Sequence, residues 1–341
     1  MSKISMKKRI LTGDRPTGSL HIGHYVGSLE NRVRLQDEYE CFFIIADYQV
    51  LTDHLRETEK ISKNILEIAI DWLSVGMDPQ KSAFFVQSKI PEIAELTMYF
   101  SMLVTIPRLQ RNPTVKEEVR ATRLGKTEMT YGFLGYPVSQ AADILSVRAD
   151  LVPAGADQQA HVEQTRDIAQ SFNKTFGRVF PMPKALLGEF PRLSGIDGQK
   201  MSKSRNNAIF LKDSPDEVAR KVMKIYTDPT RIHATDPGHI RGNIAFAYLD
   251  AFDKDGAEVR DLKEKYRKGK IGDVAVKQRL IEVLNKFLDP IRERRRELES
   301  NPNLVRKAII SGTHRTQKEA AETLKLVRNA MHFDYDEIFS G

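Results

Sequence analysis

Two short segments carry the residue types that hold phosphate. The first is Thr12-Gly-Asp-Arg-Pro-Thr-Gly-Ser-Leu-His-Ile-Gly-His24. A β-rich run leads into a Gly-rich turn and then a helical period. His21 and His24 are three apart, which puts both imidazoles on one face at a helix start. The free N–H groups and the helix dipole favour an anion there. Gly23 has no side chain, so a flat adenine ring fits against the backbone. The second segment is Gly195-Ile-Asp-Gly-Gln-Lys-Met-Ser-Lys-Ser204. Lys200 and Lys203 flank Met201-Ser202, each a compact, mobile charge able to reach phosphate. Taken alone, a histidine pair is more often a surface or core feature, and a basic loop is usually only that. A zinc site is a poor reading, because Cys41 is the one cysteine and no third and fourth ligand cluster is evident.

The elements that must position these segments follow from periodicity. Residues 8–12, 41–47 and 82–87 are short, β-branched or aromatic, and read as strands; 150–153 reads as a fourth. Between them lie helical periods over 56–75, 92–104, 138–147 and 157–172. Ile61, Ile65, Ile68, Trp72 and Val75 mark the buried face of the first. Strand–helix–strand alternation implies a parallel sheet with right-handed crossovers, with ligands beyond the carboxyl ends of the strands. Residues 107–135 are polar and rich in Pro and Gly, and are expected to be irregular. After Ser204 only helical periods are visible, such as Val274, Ile281, Leu284, Leu288 and Ala320, Leu324, Val327, Met331. The boundary is expected near 205–214.

The chain has 341 residues, 40% hydrophobic and 29% charged, enough apolar material for a sizeable core and too much for a disordered chain. No apolar run reaches the roughly 18–20 residues that span a bilayer, and no signal-type stretch follows the basic start. The lone cysteine excludes an intramolecular disulfide framework and favours a reducing, cytoplasmic setting. Net charge is +7, from 53 Lys+Arg against 46 Asp+Glu. Residues 261–330 hold 18 basic and 10 acidic residues, +8, so the rest sum to −1. A basic C-terminal third suggests a polyanionic partner. The mixed-sign run Ile291 to Glu299 reads as a solvated helix face.

His21-Ile-Gly-His24 and Lys200-Met-Ser-Lys-Ser204 match letter for letter, and in order, the HIGH and KMSKS signatures of class I aminoacyl-tRNA synthetases. A third set narrows the resemblance: Tyr136-Pro-Val-Ser-Gln-Ala-Ala-Asp-Ile144, Val152-Pro-Ala-Gly-Ala-Asp-Gln158 and His161-Val-Glu-Gln-Thr-Arg-Asp-Ile-Ala169, with Ala46-Asp-Tyr-Gln49. Over essentially its whole length the chain resembles the bacterial tryptophanyl-tRNA synthetase family. The resemblance implies an α/β fold: a Rossmann-like, doubly wound parallel sheet as catalytic domain over 1–205, with an insertion at about 107–135. An all-α anticodon-binding domain follows over 206–341. It implies activation of L-tryptophan by ATP, with Mg2+, to tryptophanyl-adenylate, and transfer to tRNA(Trp). A homodimer is implied, with no membrane or DNA partner; 107–135 is the candidate dimer and acceptor-stem contact. Lys200, Lys203, His21 and His24 would be catalytic. Arg15, Pro16, Thr17, Gly23, His24, Gly155, Ala156, Asp157 and the stretch Lys200, Met201, Ser202, Lys203, Ser204 would bind ATP. Asp143 would accept the indole N–H, with Tyr136 and Gln158 near the amino group and Gln49 and Gln140 completing the pocket. Many bacterial members carry Met where Gln140 stands, and His where Gln49 stands. The competing readings are tyrosyl-tRNA synthetase, a small nucleotidyltransferase of the same superfamily, and an auxiliary or RNA-binding synthetase copy.

Overall fold

The computed structural model describes residues 7–52, 54–122, 129–154, 159–187, 193–203, 205–226, 228, 231, 233, 235–335 and 338. Five parallel strands form one sheet in the order β3-β2-β1-β4-β5. They are β1 Arg9–Asp14, β2 Glu40–Ile45, β3 Ser82–Val86, β4 Leu151–Ala154 and β5 Lys184–Leu187. Four of them fall where the sequence places them. β5 is a difference: four residues, Lys-Ala-Leu-Leu, with no β-branched member, are too few to show a period.

Both faces of the sheet are covered, and the strand alternation shows it. Phe43, Ile45 and Phe84 point into one core, and Phe42, Ile44 and Phe85 into the other. Helices α1 Ile22–His24 and α2 Glu30–Glu38 run on through a π turn at Tyr25–Leu29. α3 Ile61–Ser74 follows, then α4 Pro91–Ser101, α5 Ile106–Arg111, α6 Pro113–Thr122, α7 Tyr131–Ser146 and α8 Gln159–Phe176. The segment 107–135 is therefore helical over most of its described residues, not irregular. Its prolines are helix starters: Pro107 lies in the first turn of α5 and Pro113 opens α6, where a missing N–H costs nothing.

The later half is all helix among the described residues: α9 Pro215–Met223, α10 Ile244–Phe252, α11 Gly256–Arg267, α12 Asp273–Ser300 and α13 Pro302–Met331. Ile281, Leu284 and Leu288 are buried as the period predicts, but Val274 is exposed and Val276 faces inward instead. The core of α9–α12 is continuous with that of β2, β3 and α3. α13 returns across β3, and Gly312 makes this possible, since a Cβ there would stand 2.2 Å from the Phe84 carbonyl oxygen. The run 291–299 is not simply solvated: Arg292 and Arg295 are buried. No helix among the described residues is long and apolar enough to cross a membrane.

Candidate active site

β1 carries the chain to the carboxyl edge of the sheet and stops at Asp14. Gly13 is needed there, because a Cβ would lie 1.8 Å from the Ile44 carbonyl oxygen on β2. Asp14 takes Arg32 Nη1 at 2.6 Å and the Trp72 indole N–H at 2.9 Å. Burial works against the Asp14 charge, but these partners hold its pKa down at about 2.

The two signature segments meet directly. The Ile22 N–H donates to the Ile209 carbonyl at 2.9 Å, and the Leu211 N–H to the Leu20 carbonyl at 3.0 Å. Met201 Sδ stands 3.0 Å from where a Cβ on Gly23 would sit, so the missing side chain lets the second segment close on the first. Lys203 Nζ donates to the Gly18 carbonyl at 2.5 Å and to Thr17 Oγ1 at 3.3 Å. Lys200 lies on the same loop with an exposed side chain. The His21 and His24 rings are in contact, with centroids 3.7 Å apart and planes tilted by 41°. Burial, then mutual repulsion and Lys203, lowers the pKa of His21 to about 2; burial lowers His24 to about 4. Both rings are neutral near pH 7. The His21 N–H donates to His24 Nδ1 at 3.1 Å, leaving Nε2–H of His24 as the outward donor.

Asp143, from α7, lies with Arg15, Gln49, Gln140, Thr12 and Gly13 around one cavity of 320 Å3, large enough for an aromatic ring system. Its carboxylate is pinned on both sides: Gln87 Nε2 donates at 2.7 Å and Gln49 Nε2 at 3.2 Å. Each oxygen keeps a lone pair for a further donor. Burial pushes Asp143 up to about 7, against the two amides. Tyr136 does not line this cavity; it lines the neighbouring groove that shares Gln49. Its hydroxyl stands 3.1 Å from His161 Nε2, and burial pushes the phenol pKa up. Pro16 is buried and Thr17 exposed beside Lys203. Gly155, Ala156, Asp157, Gln158 and Ser204 lie outside the described residues.

Two residues here are not singled out by the sequence patterns. Gln87 sits one residue past β3, at the strand end where ligands bind, and that position was the available signal. Asn207 is buried behind the second signature; it accepts the Ser202 N–H at 2.8 Å and donates to Asp197 Oδ1 at 2.8 Å and the Lys200 carbonyl at 3.1 Å. Among the described residues, no group of three His, Cys, Asp or Glu side chains stands placed to hold a metal ion.

The model of the family "tRNA synthetases class I (W and Y)" matches residues 5–289. The chain belongs to this class I family. It is similar to the tryptophan–tRNA ligase of Chlamydia caviae, 48% identical over 96% of both chains. The tryptophan–tRNA ligase of Treponema pallidum is 50% identical over 95% of this chain and 96% of its own. The tryptophanyl-tRNA synthetase of Campylobacter jejuni, solved with ADP and tryptophan, superposes with a TM-score of 0.84. It is 34% identical, over 95% of this chain and 99% of that one. As a class I synthetase, the chain is an enzyme with the expected sheet and a helical C-terminal half.

Proposed function

We propose that the chain is a tryptophan–tRNA ligase: it joins L-tryptophan to ATP as tryptophanyl-adenylate, releases pyrophosphate, and passes the aminoacyl group to tRNA(Trp). The relatives of about half identity over nearly the whole chain support this reading. The observation that carries it is Asp143 on the wall of the cavity that residues 12–15 also line. A carboxylate held by two glutamine amides is a fixed acceptor. Indole supplies an N–H to it; phenylalanine does not, and a buried acceptor left unpaired costs about 1–3 kcal/mol.

In the adenylation step the tryptophan carboxylate attacks the α-phosphorus of ATP and pyrophosphate leaves. The protein supplies position and charge rather than a covalent intermediate. His21 and His24, both neutral, act as hydrogen-bonding groups beside Gly23, where the purine and α-phosphate would lie. Lys203 and Lys200 would neutralise the β- and γ-phosphates, with Lys203 exchanging the Gly18 carbonyl for phosphate oxygen. Magnesium enters bound to the ATP phosphates, as part of the substrate. Gly155, Ala156 and Asp157 are assigned to the ribose, and Gln158 with Tyr136 to the amino group. Residues 206–341, carrying the basic stretch, would read unstacked anticodon bases and phosphate.

A homodimer is part of the proposal. Met98 on α4, Met102 (70% exposed) just past its end, Ile106 on α5 and Tyr131 (76% exposed) on α7 place large apolar groups in solvent, and exposed apolar groups of this size are what an interface covers. A cytoplasmic location is part of the same proposal. Amino-acid-dependent ATP–pyrophosphate exchange without tRNA tests the reading. Exchange with tryptophan alone is expected; exchange with tyrosine would transfer the assignment to the sister enzyme, and none at all to a non-catalytic copy.

A further inference from the structure

α12 holds the exit from the second signature through one arginine and reaches back to α3 of the catalytic half through two more. Arg292 Nε donates to the Asp213 carbonyl at 2.8 Å, and Arg294 Nε to the Ser74 carbonyl at 2.5 Å. Arg295, 3% exposed, forks onto two carboxylates of α3. Its Nη1 pairs with Asp71 Oδ1, and its Nη2 stands 2.7 Å from Glu67 Oε2. Asp71 is fully buried, and its second oxygen accepts the Leu20 N–H at 2.7 Å, immediately before His21. Glu67 Oε2 also takes the Ser19 hydroxyl at 2.8 Å and Lys212 Nζ at 3.2 Å. Two carboxylates one helical turn apart thus tie together three pieces of chain. These are the approach to the first signature, the exit from the second, and a helix of the C-terminal half.

A buried ion pair is weak evidence for stability, since apolar residues of the same volume often serve as well. The direction of the bonds says more. Asp71 holds the backbone of Leu20, far away in sequence, rather than closing a contact within its own helix. The Leu20 carbonyl is held in turn by the Leu211 N–H. The Leu20 residue is therefore clamped through both its N–H and its carbonyl, by α3 and by the second signature's exit.

We propose that Arg295 is a positioning residue for adenylate formation: from α12, through Asp71, it fixes Leu20 and so the placement of His21 and His24. This rests on the synthetase reading of the site. The charged groups facing Asp71 are Arg295 from α12, Glu67 from its own helix, Lys212 from the segment after the second signature and Lys203 from that signature itself. Even with Arg295 beside it, burial pushes Asp71 up to about 6. Losing the guanidinium raises it further, and Asp71 then titrates across neutrality, loosening its hold on Leu20.

The test is tryptophan-dependent ATP–pyrophosphate exchange from pH 6 to 9, in the full-length enzyme and in Arg295→Met. Failure of the wild-type enzyme to exchange would sink the synthetase reading itself. With wild-type exchange present, Arg295→Met should lose roughly ten- to a hundredfold in kcat, as misplaced reacting groups do. Its KM for tryptophan should stay nearly unchanged, because the indole cavity is walled by other residues. Its kcat should gain a new limb rising with pH above 7. A wild-type kcat and pH profile in a folded Arg295→Met, whatever its melting temperature, overturns the proposal. If that variant does not fold, Asp71→Asn combined with Arg295→Met, which removes both buried charges, is measured in its place. A reduced, pH-independent kcat supports the proposal, and a wild-type kcat overturns it.

Discussion

Lys203 Nζ stands 2.5 Å from the Gly18 carbonyl oxygen, so the second signature is already docked on the turn that leads into the first. The lysine is partly desolvated, and burial lowers its pKa. A charge held this way needs little reorganisation to meet a developing negative charge.

Lys203→Ala should therefore act on the transition state. Removing one such donor costs on the order of 100- to 1000-fold in kcat, with the tryptophan KM little changed. Steady-state pyrophosphate exchange checks this; a rise in KM with kcat unchanged would remove Lys203 from its charge-stabilising role.

Asp143→Asn should separate stability from activity. The folded-state pKa of Asp143, about 7, lies above the ordinary aspartate value. The folded protein thus holds that proton more tightly than the unfolded chain. The sign follows: stability falls as pH rises from near 4 to near 7, and the cost is complete above 7. Asparagine removes the cost. The variant should melt higher than wild type at pH 8.5, with little advantage at pH 5. Its kcat/KM for tryptophan should drop roughly tenfold or more, as unpaired polar groups predict, while ATP KM holds. Thermal melts at the two pH values, with exchange kinetics, decide it.

Trp72 is the one tryptophan of the chain, buried under the site with its N–H on Asp14. Trp72→Phe keeps an aromatic ring beside Phe43 and Phe84 but leaves Asp14 without that donor. A loss of about 1–3 kcal/mol is expected from the missing charged hydrogen bond and the smaller ring. Urea unfolding followed by circular dichroism would measure it, and an unchanged midpoint would contradict the role given to the indole.

Met98→Glu with Met102→Glu puts two charges into the exposed apolar patch. Sedimentation should show a dimer for wild type and a monomer for the variant. Two monomers, or two dimers, would dismiss that patch as the interface.

Much of the site was legible because its residues lie in contiguous strings. His21 to His24 and Lys200 to Lys203 do their work as local sequence, and the turns on either side announce them. β2 and β3 are buried on both faces along almost their whole length, so their apolar runs stand out. What was not legible depends on distance along the chain. Arg295 stands in a run of mixed charge that reads like solvated surface, and only the fold reveals the carboxylates facing it. Pro107 and Pro113 look like breakers until their place in the first turn of a helix is known. Gln87 and Asn207 are ordinary amides whose partners are remote or buried. β5 was too short to declare itself.

The passage of α13 over β3 bears on how the enzyme is made. Phe84 and its neighbours emerge from the ribosome early, whereas residue 312 follows roughly ten to forty seconds later at ordinary synthesis rates. During that interval the outer strand of the sheet has no α13 to cover it, and the backbone edge of β3 at Phe84 is open to chaperones or to other nascent chains. An interrupted translation product that stops before α13 would carry both catalytic signatures yet remain a target for proteolysis. The cell would then be spared a half-built enzyme that consumes ATP without delivering charged tRNA.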